Sequence, residues 1–484
     1  MNPNETAMDF IEKNRNHIIS VSDKIWEFAE AGYQEYKSSE LLAKELEKAG
    51  FRVQKPVAGM PTALVASNGK GRPVIGIIGE YDAVPDCSQK LIPRREPLVP
   101  GAPGHGCGHN ICGASALAGA IAVKTAMEAH KLEGTIKFFG CPAEELLGGK
   151  IYMVRDGVFN GVDAVIAHHP DQMNTSILVN EIAMNSVKFH FHGKISHASV
   201  SPEAGISALD AVELMNVGVN YLREHMIREG RIHYLIEDGG IAGHPPLPND
   251  VPPYARSYYW IRAPKREQVD HIYQQIVRIA EGAATMTGTT LEVEFLSGTY
   301  PTLENETLAH LFVAKMREIG APAFNEEELD FAHEIAKTIS AEEKEHGMAI
   351  QELQSFVDKG VDLDTRIVDP VGLGTFGAGS ADHADVSQVT AMMKCKTTCW
   401  PVGIPHHTWR NAACAGTGLG HKSLIFGSQI LACSALDLLR KPELLAKVRK
   451  EWEEKTKGSK YKSPIPEGVK PPLHTLPQYY TSRA

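Results

Sequence analysis

Three short apolar runs, each ending in acidic or histidine side chains, constrain the fold more than any other feature of the sequence. Residues 74–79 precede Glu80 and Asp82, residues 135–141 precede Glu144 and Glu145, and residues 164–167 precede His168 and His169. Such runs, separated by helical patterns like the alanine-rich stretch 115–129, are typical of buried parallel strands joined by crossover helices. In open α/β sheets, ligands bind beyond the carboxyl ends of the strands. The sequence therefore predicts an α/β domain whose polar groups gather at one edge of the sheet.

A fourth polar cluster, Gly-His-Gly-Cys-Gly-His-Asn at residues 104–110, places Cys107 two residues before His109. A thiolate, imidazoles and carboxylates are the ligands of zinc or manganese. The structural alternative is that polar residues cap strand ends and that a cysteine lies between histidines by chance. It accounts for one cluster but poorly for four. Cys107 as a nucleophile beside a histidine is a further alternative, which the surrounding acids and histidines disfavour.

The adjacent pair Glu144 and Glu145 carries the most chemistry. Neighbouring side chains that leave a strand point in different directions, so one carboxylate can bind a metal while the other holds a water. A free carboxylate beside such a water is a candidate general base. The alternative is an exposed acidic pair in a loop, which the preceding strand and Pro142 make less favourable.

Five motifs together resemble a known metallopeptidase family, which includes aminoacylases, glutamate carboxypeptidases and plant auxin-conjugate hydrolases. Within it the resemblance is greatest to the B-subunit group of the p-aminobenzoyl-glutamate hydrolases, which are built from two related kinds of subunit. The resemblance extends roughly from residue 10 to residue 440. The motifs are Gly-Glu-Tyr-Asp-Ala at 79–83, His-Gly-Cys-Gly-His-Asn at 105–110, Gly-Cys-Pro-Ala-Glu-Glu at 140–145, Ile-Ser-His-Ala at 195–198 and Pro-His-His-Thr-Trp at 405–409.

The resemblance implies a site with two divalent ions per chain, Zn²⁺ or Mn²⁺, and a general base, Glu144. Asp82 is the implied carboxylate that orients a ligand histidine. For the doublets 168–169 and 406–407, the family pattern favours the second histidine, with the first remaining an alternative. Glu80 stands where other branches carry a metal-binding histidine, so the comparison holds for the cysteine-containing branch. The implied metal ligands are Cys107, His109, Glu145, His169 and His407.

The middle of the chain predicts an inserted α+β unit in the order strand, helix, strand, strand, helix, strand, which is ferredoxin-like. The resemblance identifies it as a lid and dimerisation domain. It implies that His197 stabilises an oxyanion, often in the partner subunit's site, and that Asn249 lies near the substrate. Ser380 and Asp382 resemble a motif that lines the active site. The glycine pattern at 372–377 matches dinucleotide-binding loops but lacks the strand and helix that those require.

Composition fits two domains, since 484 residues exceed what one hydrophobic core usually serves. We predict a catalytic domain at 1–185 and 298–484, a zinc-exopeptidase-like mixed and largely parallel sheet flanked by helices, with the insertion at 186–297. A net charge of −10 disfavours nucleic acid. Gly, Asn, Lys and His interrupt the longest apolar stretches, so no membrane segment is indicated. Eight cysteines without framework spacing and the absence of a signal pattern favour the cytoplasm.

The predicted function is that of a metal-dependent amidohydrolase that cleaves an N-acyl or N-aroyl amino acid resembling p-aminobenzoyl-glutamate. An alternative is a dipeptidase or aminoacylase with another amino-acid preference. A third is one chain of a hetero-oligomer that needs its partner for activity, so both a homodimer and a heterodimer with a related chain are expected possibilities. Arg256 and Arg262 are candidates for binding a substrate carboxylate, with ordinary strand residues as the alternative.

Overall fold

The computed structural model describes residues 1–240, 247–346 and 360–473, which form two compact units. Among the described residues, the first, called the catalytic unit below, contains Met1–Asn180, Leu303–Lys462 and Pro471–Leu473. The second, the inserted unit, contains Glu181–Thr302 and Ser463–Lys470. Its limits lie outside the predicted 186–297 because its first and last strands are longer than their apolar cores.

The catalytic unit's elements before the insertion are α1 (Pro3–Lys13), α2 (Arg15–Phe28), α3 (Tyr36–Lys48), β1 (Arg52–Gln54), β2 (Leu64–Lys70), β3 (Val74–Glu80), α4 (His109–His130), β4 (Gly134–Cys141), α5 (Gly149–Arg155) and β5 (Ala164–Asp171). The inserted unit has β6 (Ala183–His192), α6 (Ala208–Leu222), β7 (Arg231–Asp238), β8 (Tyr254–Ala263), α7 (Arg266–Thr287) and β9 (Thr290–Thr299). The catalytic unit then continues with α8 (Glu306–Ile319), α9 (Glu326–Lys337), α10 (Ala341–His346), α11 (His383–Val389), β10 (Met392–Thr398), α12 (Trp409–Ala415), α13 (Gly418–Arg440) and α14 (Pro442–Thr456).

The catalytic unit is built on a six-stranded sheet with the order β1-β2-β4-β3-β5-β10. Strands β4, β3, β5 and β10 run parallel, whereas β2 pairs antiparallel with both β1 and β4. All the residues of β5 are buried, as expected of a central strand covered on both faces. The predicted mixed, largely parallel sheet is confirmed, and its central strands bring the polar ends of β3, β4 and β5 to one edge.

Two long helices, α4 and α13, form the centre of this core and pack against each other and against the sheet. The two helices approach each other closely at Gly119, where an added Cβ would lie only 3.1 Å from Leu431 Cβ. By length and composition, both helices could cross a membrane, although the sequence analysis indicated no such segment. The polar residues that interrupt their apolar stretches are too few to lower the mean hydropathy much. Their apolar windows are 83% and 89% buried within the protein, as is usual for helices of a globular core.

The inserted unit is a four-stranded antiparallel sheet with the order β7-β8-β6-β9, against which α6 and α7 pack. Burial alternates residue by residue along β8, so one face of the strand meets the helices. Phe189, Tyr259 and Ile276 belong to its separate apolar core. The ferredoxin-like order of strands and helices predicted from the sequence is confirmed.

The glycine-rich stretch 372–377 is a loop. Gly372 and Gly374 have φ of 86° and 80°, and the next helix, α11, begins only at His383. It therefore lacks the strand and the helix that a dinucleotide site requires. Helices α9 and α10 follow α8, and residues 347–359 lie outside the described part of the chain.

Replacing Gly427 with alanine tests the packing of α13 on β5. The new Cβ would lie 2.3 Å from Nδ1 of His168, whose buried ring is held by Ser115 and Thr397. We expect Gly427→Ala to destabilise the protein by about 1–3 kcal/mol, as overpacking does. Gly282→Ala on α7 is the control, because no described atom lies within 4 Å of its Cβ and alanine favours helix by about 1 kcal/mol. Equal thermal unfolding temperatures of the two variants would contradict the packing argument.

Candidate active site

The turn before α4 places Cys107 and His109 at the edge of the sheet. Gly108, the residue before the helix, has φ of 78°, and a Cβ there would lie 2.5 Å from Pro170 Cγ. Glycine is required on both counts, since other residues rarely adopt this conformation. The tight turn lets the thiol and the imidazole approach the end of β5, and both side chains are buried.

Asp82, just beyond β3, fixes the orientation of His109. Its Oδ1 accepts a hydrogen bond from His109 Nδ1 at 2.9 Å, and its Oδ2 accepts one from the backbone N–H of Glu145 at 2.9 Å. Burial alone would raise the pKa of Asp82, but the His109 ring and these hydrogen bonds lower it, so the group is a carboxylate at neutral pH. Since Nδ1 is engaged by Asp82, Nε2 is the ring nitrogen of His109 that faces the cluster.

His169 and His168 point to different surroundings, as neighbouring strand residues do. His169 Nδ1 donates to the Pro170 carbonyl at 2.6 Å, and its Nε2 lies 3.3 Å from Cys107 Sγ. Both ring nitrogens of His168 are engaged, with Ser115 Oγ at 2.9 Å and Thr397 Oγ1 at 2.6 Å. Of the two, His169 is therefore the one with a nitrogen turned toward Cys107.

The second doublet lies on the loop before α12. His407, with φ of 59°, places Nε2 3.4 Å from Glu145 Oε2, and its side chain is 49% exposed. The ring of His406 instead packs edge-on against Trp400, with the ring centroids 5.6 Å apart. His407 is thus the member of this pair that joins the cluster.

Four overlapping groups of potential ligand atoms result, each with its atoms within 4.8 Å of one another. They are Cys107 with His109 and His169, Cys107 with Glu145 and His407, His109 with Glu144 and Glu145, and Glu80 with Glu144 and Asp382. His109 Nε2 and Glu145 Oε1 are buried with no hydrogen-bond partner among the described residues. Buried polar atoms are normally paired, so these two orphaned atoms fit a bound cation.

The Glu144 side chain lies beside these groups, with Oε2 3.7 Å from His109 Nε2. Burial raises its pKa, and the nearby negative charge of Glu80 adds to the rise. A carboxylate with a raised pKa binds a proton more readily at neutral pH, which suits proton transfer. Glu145 also has a raised pKa, caused by burial and by Cys107.

Sequence reasoning missed Lys150, which is fully buried at the start of α5. Its Nζ lies 2.7 Å from Glu80 Oε1 and 2.5 Å from Asp382 Oδ1, and its backbone N–H donates to Asp382 Oδ2 at 2.9 Å. Asp382, expected to line the site, is fully buried and engaged with this lysine, whereas Ser380 is half-buried. Nothing in Gly-Gly-Lys at 148–150 marks a buried ammonium, because its partners lie far away in sequence.

The inserted unit brings His197 and Asn249 together, since Asn249 Nδ2 donates to His197 Nε2 at 2.9 Å. A backbone hydrogen bond from Ala198 N to Asn249 O, 2.8 Å long, holds the two segments side by side. The arginine candidates have neighbours within this unit. Arg256 forms an ion pair with Glu237 at 2.9 Å, and the Arg262 guanidinium lies over the Trp260 ring.

A largely parallel α/β sheet with this cluster at its strand ends, interrupted by a ferredoxin-like unit, has the architecture of a zinc-exopeptidase-like hydrolase. The model of "Peptidase family M20/M25/M40" matches residues 76–351. The chain is 37% identical over 473 residues to a protein of Escherichia coli (strain K12) that is named as one of the subunits of p-aminobenzoyl-glutamate hydrolase, covering 96% of this chain and 97% of that protein. It is 27% identical over 463 residues to Xaa-Arg dipeptidase of Mus musculus, covering 92% and 91%.

Among solved structures, an aminobenzoyl-glutamate utilization protein from Klebsiella pneumoniae shares the fold with a TM-score of 0.59 at 16% identity, covering 90% of this chain and 98% of that one. The chain belongs to peptidase family M20/M25/M40. It is accordingly an enzyme of the peptidase and amidohydrolase class.

Replacing Lys150 with methionine tests the buried charge network. The change leaves Glu80 and Asp382 close together without their shared cation. Removing one partner of a buried ion pair costs about 3–5 kcal/mol, and we expect a loss of that size in chemical denaturation. Lys124→Met is the control, because Glu128, the ion-pair partner of Lys124 on α4, has an exposed side chain. Ion pairs at the surface contribute about 0–1 kcal/mol. A Lys150→Met variant as stable as the control would contradict the assignment.

Proposed function

We propose that the protein hydrolyses the amide bond of an N-acyl or N-aroyl amino acid resembling p-aminobenzoyl-glutamate, with divalent metal ions as cofactor and Glu144 as general base. The observation that carries this proposal is the convergence of Cys107, His109, Glu145, His169 and His407 in overlapping groups beside Glu144. The 37% identity with the E. coli hydrolase supports the reaction and its substrate class.

The donor set suits two ions of the Zn²⁺ or Mn²⁺ kind, because it combines a thiol, imidazoles and carboxylates. Cys107, His109, Glu145, His169 and His407 would hold these ions, since their potential ligand atoms lie in overlapping groups. When bound, such ions polarise the scissile carbonyl and lower the pKa of a water to about 7.

The protein's own groups then have distinct tasks. Asp82 keeps the proton on His109 Nδ1, so that Nε2 remains a ligand. The same carboxylate holds the Glu145 backbone, which fixes the loop that presents Glu144. Glu144 takes a proton from the attacking water and delivers it to the departing amine, as a general base and then a general acid.

For the substrate, we propose that His197 donates a hydrogen bond to the developing oxyanion through its Nδ1–H, since its Nε2 accepts from Asn249, which holds the ring in position. Their mutual hydrogen bond within the inserted unit supports a joint role. We also propose that Ser380 lines the substrate site and that Asp382 supports it through its contacts with Lys150. A dipeptidase with another side-chain preference is the second candidate, favoured by the identity with the mouse Xaa-Arg dipeptidase.

We propose that the active form is a dimer, either of this chain or with a related chain. The name of the E. coli relative, which describes that protein as one of a hydrolase's subunits, supports an assembly of more than one chain. A cytoplasmic location is proposed from the cysteines. All eight are free and buried, and unpaired thiols are typical of a reducing compartment.

Hydrolysis of p-aminobenzoyl-glutamate, measured beside a panel of other N-acyl amino acids and dipeptides, tests the reaction. We expect selective turnover by the wild type and a loss of about 10²- to 10⁴-fold in kcat for Glu144→Gln, the range that general base catalysis contributes. Glu128→Gln, an exposed carboxylate on α4, is the control and should keep full activity. Preference for an arginine-containing dipeptide would favour the second candidate. Activity retained by Glu144→Gln would refute the role of this residue as base.

Metal removal tests the ligand assignment. Because ions that bind only the native state stabilise it, we expect a chelator to lower the thermal unfolding temperature and added Zn²⁺ or Mn²⁺ to restore it. His169→Ala should lower the metal content of the folded protein. His168→Asn, one residue away, should reduce stability but keep the metal, because its ring is bound by Ser115 and Thr397. Equal metal content in both variants would refute the choice of His169.

A further inference from the structure

The segment between α2 and α3, residues 29–35, lies against the end of β3 from which Asp82 extends. Ala31 pairs with Ala83 in a parallel bridge, and Ala83 N–H donates to the Glu30 carbonyl at 2.8 Å. Tyr33 has φ of 64°, a conformation rare for a large side chain. Its ring is buried, so the segment is held firmly in this bend.

The same segment contacts both ends of the loop that carries Glu144 and Glu145. At the start of the loop, the Glu35 side chain accepts a hydrogen bond through Oε1 from Ala143 N–H at 2.7 Å. A Cβ on Gly32 would lie 3.0 Å from Ala143 Cα, so the two backbones are in close contact. At the other end, a Cβ on Gly148 would lie 2.0 Å from the Tyr33 hydroxyl oxygen.

Ala143, whose N–H Glu35 holds, is the residue directly before the proposed base. Ala143 has φ of 54°, which is unfavourable for a residue with a Cβ and persists only where the surroundings impose it. The loop's own hydrogen bonds, Leu147 N to Glu144 O at 2.7 Å and Gly148 N to Ala143 O at 3.1 Å, leave the Ala143 N–H to Glu35. Rotation of this peptide would swing the Glu144 side chain away from the cluster.

Glu35 is fully buried, and neither the proposed chemistry nor the ligand set uses it. Burial raises its pKa to about 8, and the charge of Asp82 adds to the rise. The side chain is therefore mostly neutral at pH 7, and glutamine reproduces its shape and its acceptor oxygen.

We propose that Glu35 is a positioning residue for this reaction. By accepting a hydrogen bond from the Ala143 N–H, it holds Ala143 in the left-handed conformation that directs the Glu144 side chain toward the cluster. The inference rests on the proposed function of Glu144. Since a misplacement of about 1 Å can reduce a rate about 10²-fold, loss of this hydrogen bond should lower kcat while substrate binding is maintained.

Two substitutions of similar size separate this role from simple core packing. Glu35→Gln retains an acceptor and should keep kcat within about three-fold of the wild type, whereas Glu35→Leu removes it and should lower kcat about 10- to 100-fold. In both variants KM and bound metal should stay close to the wild-type values. Glu30→Gln is the control on the same segment, because its carboxylate caps α3 through Lys37 and Ser38 and does not contact the loop. If Glu35→Leu does not fold, Glu35→Asp replaces it, since the shorter acid does not reach Ala143.

Hydrogen exchange at the Ala143 amide provides a readout that needs no substrate. We expect faster exchange in Glu35→Leu, or in Glu35→Asp where it is used, and near wild-type exchange in Glu35→Gln. A wild type that turns over nothing on the panel would defeat the proposed function, while exchange would still report whether Glu35 holds this peptide. Unchanged exchange, full kcat in Glu35→Leu, or equal loss of kcat in Glu35→Gln and Glu35→Leu would each overturn the inference.

Discussion

The buried carboxylate of Asp82 is the interaction on which the site depends. One oxygen holds the His109 ring and the other holds the backbone of Glu145. The end of β3, the start of α4 and the loop after β4 are thereby joined at a single group. A fully buried carboxylate is expensive to desolvate, but the charge of His109 together with these two hydrogen bonds keeps its pKa lowered. The orientation of a proposed ligand and the placement of the proposed base therefore change together.

The charges around Asp82 explain why the edge of the sheet fits a cation. Glu80, Glu144, Glu145 and Asp382 are buried or nearly so, and Lys150 balances mainly Glu80 and Asp382. On the side of Cys107, His109 Nε2 and Glu145 Oε1 have no hydrogen-bond partner among the described residues. Lys150 thus supplies the positive charge on one side of Glu144, and the ligand groups remain for ions on the other. This division accounts for the carboxylate of Glu80, which pairs with Lys150 and lies in the group of acids that does not include Cys107.

Much of the fold could be predicted from the sequence because its signals are local. The apolar runs of β3, β4 and β5 and the ligand-type residues after them depend on neighbours in sequence, and so does the strand and helix order of the inserted unit. Lys150 and Glu35 could not be found in this way. Each acts on groups that lie far away in the chain, and an isolated lysine or glutamate has no pattern that marks it as buried. Helices α4 and α13 are apolar on average because they lie in the core, where 83% and 89% of their apolar windows are buried.

The histidine doublet on β5 shows how a local rule decides a role that a motif leaves open. Successive strand residues face opposite sides of a sheet, and Ile166 belongs to the large core on the side of the helices. His168 lies two residues further along and faces the same way, where α4 and α13 surround it and Gly427 leaves room for its ring. His169 must then turn to the other side, toward Cys107. Burial lowers the pKa of His168 to about 3, so its ring is neutral where it forms hydrogen bonds with Ser115 and Thr397. The first histidine thus completes the core, which leaves the second for the proposed chemistry.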